Sequence, residues 1–188
     1  MQTLLIIDMQ TAWLEENPRH DAQAVIQRIN QVAQYFRRTN QPIIFVRHDD
    51  DVVKKGNQEW QVTPAITGMS TDLFVDKTAC DSFAGTDLAQ RLQEIGTTEV
   101  VICGLATEFC VDTTLRACLS RGYKVTALAD THTTSNRPHL DAASIIAHHN
   151  WIWTHMAAPE GVSVKVATAA DFLAAQKLSD LPVKGSAH

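Results

Sequence analysis

No run of about 18 uninterrupted apolar residues occurs in the chain, so nothing in it reads as a membrane-spanning helix. The N-terminus also lacks the basic start of a secretory signal, because "MQTLLIIDMQ" meets Asp8 after only four apolar residues. An excess of positive charge is missing too. A net charge of −5 argues against a partner held through its phosphates, so no nucleic-acid partner is expected. Cysteine is sparse: Cys80, Cys103, Cys110 and Cys118 show neither C-x-x-C spacing nor the density of a disulfide scaffold. A reducing, cytoplasmic setting is the expectation, and no resolving thiol suggests a redox protein. Internal repeats, low-complexity blocks and linkers are absent. The expectation is one domain over residues 1–178, followed by a loose Pro/Gly/Ser tail at 179–188.

What is present is alternation. Short β-rich runs at 3–8, 42–47, 72–77, 99–104 and 123–130 alternate with helix-period segments near 21–38, 85–95, 138–150 and 168–177. A further helix follows the fourth run and ends at Gly122. "WIWT" at 151–154 reads as a sixth strand. Continuously apolar strands alternating with helices predict an α/β fold: a three-layer αβα sandwich around a six-stranded, parallel, doubly wound sheet. Ligands bind such sheets beyond the carboxyl ends of the strands, where strand order reverses.

Three polar, reactive residues follow strands directly on that rim: Asp8, Lys77 and, in "GLATEFC", Cys110. With Thr107 as N-cap, Cys110 would be the third helical residue, where the helix dipole and a nearby ammonium favour a thiolate. Backbone N–H groups of the same turn could receive an oxyanion, and Asp8 could carry the thiol proton. Each residue alone also has a plainer use. Free cysteine is commonly buried packing, an aspartate after a strand caps loops, and a lone lysine is usually solvated. Asp76 should point to the opposite face of its strand from Lys77. Trp13, Trp60 and Phe83 are candidate aromatic walls of a substrate pocket, and Phe109 could face either way. Cys80, Cys103 and Cys118 read as packing residues.

The pieces "LLIIDMQ", "DKTACDSFAGTDL", "VVICGLATEFCVDTTLRACLSRGY" and "VTALADTHTT" together resemble the isochorismatase-like cysteine hydrolases across roughly residues 3 to 154. The resemblance implies a catalytic triad of Asp8, Lys77 and Cys110. It also implies a cis peptide between Ala106 and Thr107 that shapes an oxyanion hole, a thioester intermediate, no cofactor, and a homodimer or homotetramer. Cys110 favours C–N cleavage in a small amide-like substrate over the enol-ether cleavage of siderophore-pathway isochorismatases. Those enzymes generally lack the cysteine. An enol-ether hydrolase, or a non-catalytic member binding a small ligand or a partner, is the alternative. Metal binding in the nicotinamidase branch uses Asp-x-His, whereas this chain has "RHDDD" at 47–51, so no metal is expected. His48 is left as a pocket residue that could touch substrate. The histidines of "AHHNWIWTH" match no standard zinc spacing. His148 and His149 there read as helix-end residues that complement the dipole.

Overall fold

The structure, a computed structural model, describes residues 1–15 and 18–179. Its strands are β1 (Gln2–Ile7), β2 (Ile43–His48), β3 (Leu73–Lys77), β4 (Glu99–Leu105), β5 (Lys124–Thr133) and β6 (Val164–Ala167). They form one sheet in the order β3-β2-β1-β4-β5-β6, with every adjacent pair parallel. The helices are α1 (Thr11–Glu15), α2 (Ala22–Arg38), α3 (Leu88–Ile95), α4 (Asp112–Ser120), α5 (Ala142–His155) and α6 (Ala169–Ser179). A π-helical turn, Thr107–Val111, leads into α4. The chain winds outward from β1 to β3 and then returns to lay β4 against β1. The switch point therefore lies between the ends of β1 and β4, next to Asp8 and Cys110.

Side chains alternate across each strand, and this period divides the core in two. Leu4, Ile6, Ile43, Phe45, Val101 and Cys103 pack under α2 and α6. Leu5, Ile7, Ile44, Val46, Val100 and Ile102 pack under α3, α4 and α5. Burying each Leu, Ile or Val is worth about 1.5–3 kcal/mol, so both faces need their helices. The three-layer arrangement read from the sequence holds.

The sixth strand does not fall where the sequence suggested. Residues 151–154 continue α5, and the edge strand is Val164–Ala167. Aromatic β-propensity loses here to packing. Ile145, His149 and Trp153 recur at helical spacing, Trp153 is buried, and its indole N–H donates to Asp112 Oδ1 at 2.8 Å. For the same reason His148 and His149 lie within α5 rather than at its end, and His149 Nδ1 bonds the Ile145 carbonyl at 2.8 Å. The helix before the tail runs to Ser179, and residues 180–188 lie outside the described residues.

Two local features shape the rim at the switch point. Gly104 has φ +119°, and a Cβ there would lie 2.1 Å from the Ile7 carbonyl oxygen, so only glycine lets β4 approach β1 this closely. An irregularity in the β4–β5 ladder shifts the partner of β4 from Ala127 at Ile102 to His132 at Gly104. The bulge carries β5 forward and sets His132 beside Thr107, where the turn to Cys110 begins.

Candidate active site

The non-proline cis peptide joins Leu105 to Ala106, one bond earlier than the resemblance implied. Leu105 is the last residue of β4 and still pairs with Thr133, while Ala106 is extended and Thr107 already belongs to the π-helical turn. The chain therefore changes direction before Thr107. Nor is Thr107 an N-cap. Its buried hydroxyl lies 2.8 Å from His132 Nδ1. His132 Nε2 lies 3.0 Å from Asn150 Oδ1, and Asn150 Nδ2 donates to the Ala129 carbonyl. Nε2 must then carry the proton, and Nδ1 accepts from Thr107. Burial pushes the His132 pKa down to about 4, so the ring is a fixed neutral acceptor.

Asp8, Lys77 and Cys110 do meet. Lys77 Nζ lies 2.8 Å from Asp8 Oδ2, 3.2 Å from Cys110 Sγ and 3.0 Å from His48 Nδ1. All of this is buried except His48, which is half-buried. Asp8 takes a positive φ of 50° directly after β1, a conformation aspartate tolerates better than most residues. Lys77 is the last residue of β3, and Asp76 points away to pair with Arg47 and Lys55. Asp8 Oδ1 is buried and, among the described residues, has no hydrogen-bond partner.

Burial sets the protonation states. It raises the Cys110 pKa, Asp8 raises it further, and Lys77 only partly offsets them. This reverses the expectation of a thiol acidified by a helix N-terminus, because desolvation and an adjacent carboxylate outweigh the dipole. Burial and Asp8 both favour the protonated thiol over the thiolate. Asp8 is raised by burial and held back by Lys77. For Lys77, burial favours the neutral amine, but the Asp8 carboxylate and the hydrogen bonds to Asp8 and Cys110 hold the pKa up. The ammonium therefore stays charged.

His48, at the end of β2, accepts from Lys77 through Nδ1, and its Nε2 lies 3.4 Å from Asp50. Burial and the Lys77 charge lower its pKa, which keeps it a neutral acceptor. Its backbone is held by Gln10, a residue of the "LLIIDMQ" segment to which the sequence pattern assigns no role. Gln10 Nε2 donates to the His48 carbonyl at 2.9 Å, and the His48 N–H donates to Gln10 Oε1 at 2.8 Å. Atoms of Asp8, His48 and Cys110 that could ligate a metal lie within 4.8 Å of one another. Lys77 Nζ sits in the middle of them within hydrogen-bond distance of each, so the cation in this cluster is the protein's own ammonium.

A cavity of about 460 Å³ opens onto Cys110, Asp8 and Ala106. Trp13 and His48 line it as expected and meet edge to face. Trp60 and Phe83 do not. Trp60 is buried against Ala12 and Val53 under the Arg47 guanidinium, and its carbonyl receives a second Gln10 hydrogen bond. Phe83 packs in the core beneath α3 and α4 and stacks on Tyr123. Both aromatics follow strands, as Trp13 does, yet both serve as packing rather than as cavity walls. Cys80 reverses the other way, since it is exposed and lines the cavity. The loop carrying it is tied to α4 through Ser82 and Thr114, whose hydroxyls lie 2.7 Å apart. Cys103 and Cys118 are buried as expected. Arg19, Asp50, Asn136 and Arg137 also line the cavity, and the sequence reading passed over them. The rim rule that singled out Asp8 and Lys77 could have found Arg137, which follows β5.

The sequence profile of the Isochorismatase domain matches residues 2–156. This chain belongs to the isochorismatase family. Curated relatives include the isochorismatase family protein YddQ of Bacillus subtilis, 27% identical over 90% of this chain and 97% of that protein. Streptothricin hydrolase of Streptomyces noursei is 29% identical over 73% of this chain and 56% of its own length. Nicotinamidase 3 of Arabidopsis thaliana is 27% identical over 71% of this chain and 73% of that protein. A crystal structure of an isochorismatase family protein superimposes with a TM-score of 0.80 at 34% identity, covering 87% of this chain and 96% of that one. A cysteine hydrolase from Pseudomonas syringae matches in fold with a TM-score of 0.85 at 22% identity, over 95% of this chain and 93% of that one. The chain is an isochorismatase-family hydrolase. Among the described residues, no helix is long and apolar enough to cross a membrane.

Proposed function

We propose that this isochorismatase-family hydrolase cleaves a C–N bond of a small amide-like substrate, with Cys110 as nucleophile and a thioester as intermediate. One observation carries the reading. In the cluster that holds Cys110, one buried carboxylate oxygen, Asp8 Oδ1, has no hydrogen-bond partner among the described residues, while Lys77 holds the other carboxylate oxygen and touches the Cys110 sulfur.

As Sγ attacks the substrate carbonyl, the thiol proton passes to Asp8. Lys77 favours the thiolate as it forms and fixes the carboxylate that takes its proton. Negative charge develops on the carbonyl oxygen, and we assign its stabilisation to backbone N–H groups of the turn that follows Ala106, those of Thr107 and Cys110. Protonated Asp8 gives its proton to the departing nitrogen, and ammonia or an amine leaves. Water then attacks the thioester, Asp8 takes a proton from it, and the acid product departs as the proton returns to Sγ. The balance requires no cofactor. A cavity of about 460 Å³ suits a small molecule, and one relative, a nicotinamidase, is named for an amide.

Ammonia release from a panel of small amides, ureas and imides tests the reading. Cys110→Ala should lower turnover by about three orders of magnitude or more while the protein stays folded. Retained amide hydrolysis in that variant would overturn covalent catalysis. Cleavage of isochorismate by Cys110→Ala at the wild-type rate would favour the enol-ether chemistry instead.

A further inference from the structure

We infer that the substrate is a monoanion whose carboxylate is received by Arg19 and Arg137; this rests on the amide-hydrolase reading and narrows it.

Both arginines line the cavity that contains Cys110, although they come from different parts of the chain. Arg19 lies between α1 and α2, and Arg137 lies between β5 and α5. Arg19 Nη1 donates to Ser135 Oγ at 2.8 Å and so joins the two segments, while its Nε donates to the Trp13 carbonyl. Neither bond involves a carboxylate, and among the described residues Arg19 forms no ion pair. Arg137 donates through Nε to Glu108 Oε1 at 2.6 Å and through Nη2 to Thr134 at 3.1 Å, with its guanidinium over the Phe109 ring. A guanidinium has five N–H donors, so among the described residues each arginine keeps donors without a protein partner.

Charge decides what those donors want. Among the described residues, two guanidiniums face one carboxylate, Glu108, which leaves one positive charge uncompensated on this wall. Burial and the nearby Arg137 both disfavour the charge on Arg19, and Glu108 only partly offsets them. An arriving anion would relieve that repulsion and meet the planar donor array that suits carboxylates. A single negative charge matches the surplus, whereas a doubly charged phosphate ester would exceed it. Elsewhere in the cavity Asp8 is paired with Lys77, and Asp50, whose neighbour His48 is neutral, keeps its negative charge in hydrogen bonds from the Val52 and Val53 N–H groups, so the positive surplus is confined to the Arg19–Arg137 wall. The anion-binding wall also reaches the nucleophile's own turn. Glu108, the partner of Arg137, lies two residues before Cys110, so the carboxylate end of the substrate and the attacking sulfur are set by one short segment.

Matched substrates test the inference. Malonamate, succinamate, glutaramate and N-carbamoylglycine are each compared with the neutral amide of the same skeleton. At least one acid should be cleaved with a kcat/KM about 10- to 100-fold above its neutral counterpart, mainly through KM. Arg19→Met and Arg137→Met should bring that ratio toward one, and Arg19→Lys should restore part of it. A purely structural role for the arginines would instead lower both substrates equally. Equal kcat/KM for acid and neutral partners, or an equal loss in the variants, overturns the inference. Calorimetric binding of the same acids to Cys110→Ala separates the two levels of the argument. Cleavage of neutral amides with no acid bound or preferred leaves the hydrolase standing and removes the anion site. Acids bound through the arginines with no amide cleaved would leave the anion site standing and remove the amidohydrolase.

Discussion

The His132 ring sits against the turn that carries Cys110 as a buried neutral acceptor, so lowering the pH should destabilise the protein through it. Its pKa falls from 6.5 to about 4 on folding, because burial disfavours the imidazolium. Protons therefore bind the unfolded chain more readily than the folded one between those two values. Stability from this group is fully present above pH 6.5 and is lost as the pH falls toward 4. At 1.36 kcal/mol per pK unit, the loss between pH 7 and pH 4 amounts to about 3 kcal/mol. A domain of this kind has only about 5–15 kcal/mol to lose. Urea unfolding followed by tryptophan fluorescence at pH 7 and pH 4 measures the difference, and His132→Asn supplies the control. The substitution lowers stability at both pH values, because the hydrogen bonds to Thr107 and Asn150 are disturbed. Its stability difference between pH 7 and pH 4 should nevertheless be smaller than that of the wild type by about 3 kcal/mol. All other titrating groups are shared and cancel. If wild type and His132→Asn lose the same stability on acidification, the neutral, Thr107-accepting His132 is wrong, and the assigned geometry of the turn goes with it.

The two charged neighbours of Cys110 should separate in a thiol-reactivity assay. Lys77 lowers the thiol pKa and Asp8 raises it, so Lys77→Met should slow iodoacetamide alkylation of Cys110 near neutral pH. Asp8→Asn should leave alkylation as fast as in the wild type or faster, although both variants lose hydrolysis. Circular dichroism confirms that each variant is folded, since breaking a buried ion pair costs about 3–5 kcal/mol. Peptide mapping then assigns the label, and equal slowing in both variants would refute the division of roles. Exhaustive chelation should leave hydrolysis unchanged, because the Lys77 ammonium occupies the centre of the Asp8–His48–Cys110 cluster. A loss restored by zinc or manganese would show otherwise.

Much of the fold was legible because strand and helix periods are local properties. Continuously apolar runs such as "TLLII" and "VVIC" can satisfy a sheet covered on both faces and little else. The switch-point rule then brought Asp8, Lys77 and Cys110 to one rim. What escaped depended on distant contacts. "WIWT" has strand-like residues, and only the packing of Trp153 against His132 and Asp112 reveals it as helix. Trp60 and Phe83 follow strands just as Trp13 does, and the sequence does not say which of them faces a cavity. The direction of the Cys110 pKa shift was also hidden. The helix dipole is visible in a sequence, whereas burial beside Asp8 emerges only after folding. Gln10, clamping the His48 backbone, and His132, anchoring Thr107, stood within quoted segments but act through partners far away in the chain.

The covalent step is the central claim, and intact-mass spectrometry of enzyme quenched in acid during turnover of a cleaved amide tests it directly. The account predicts a transient mass increase equal to the substrate's acyl group, mapped to the Cys110 peptide, removed by hydroxylamine and absent from Cys110→Ala. Steady hydrolysis with no acyl adduct on Cys110 at any quench time, and no hydroxamate formed when hydroxylamine is present, would contradict it.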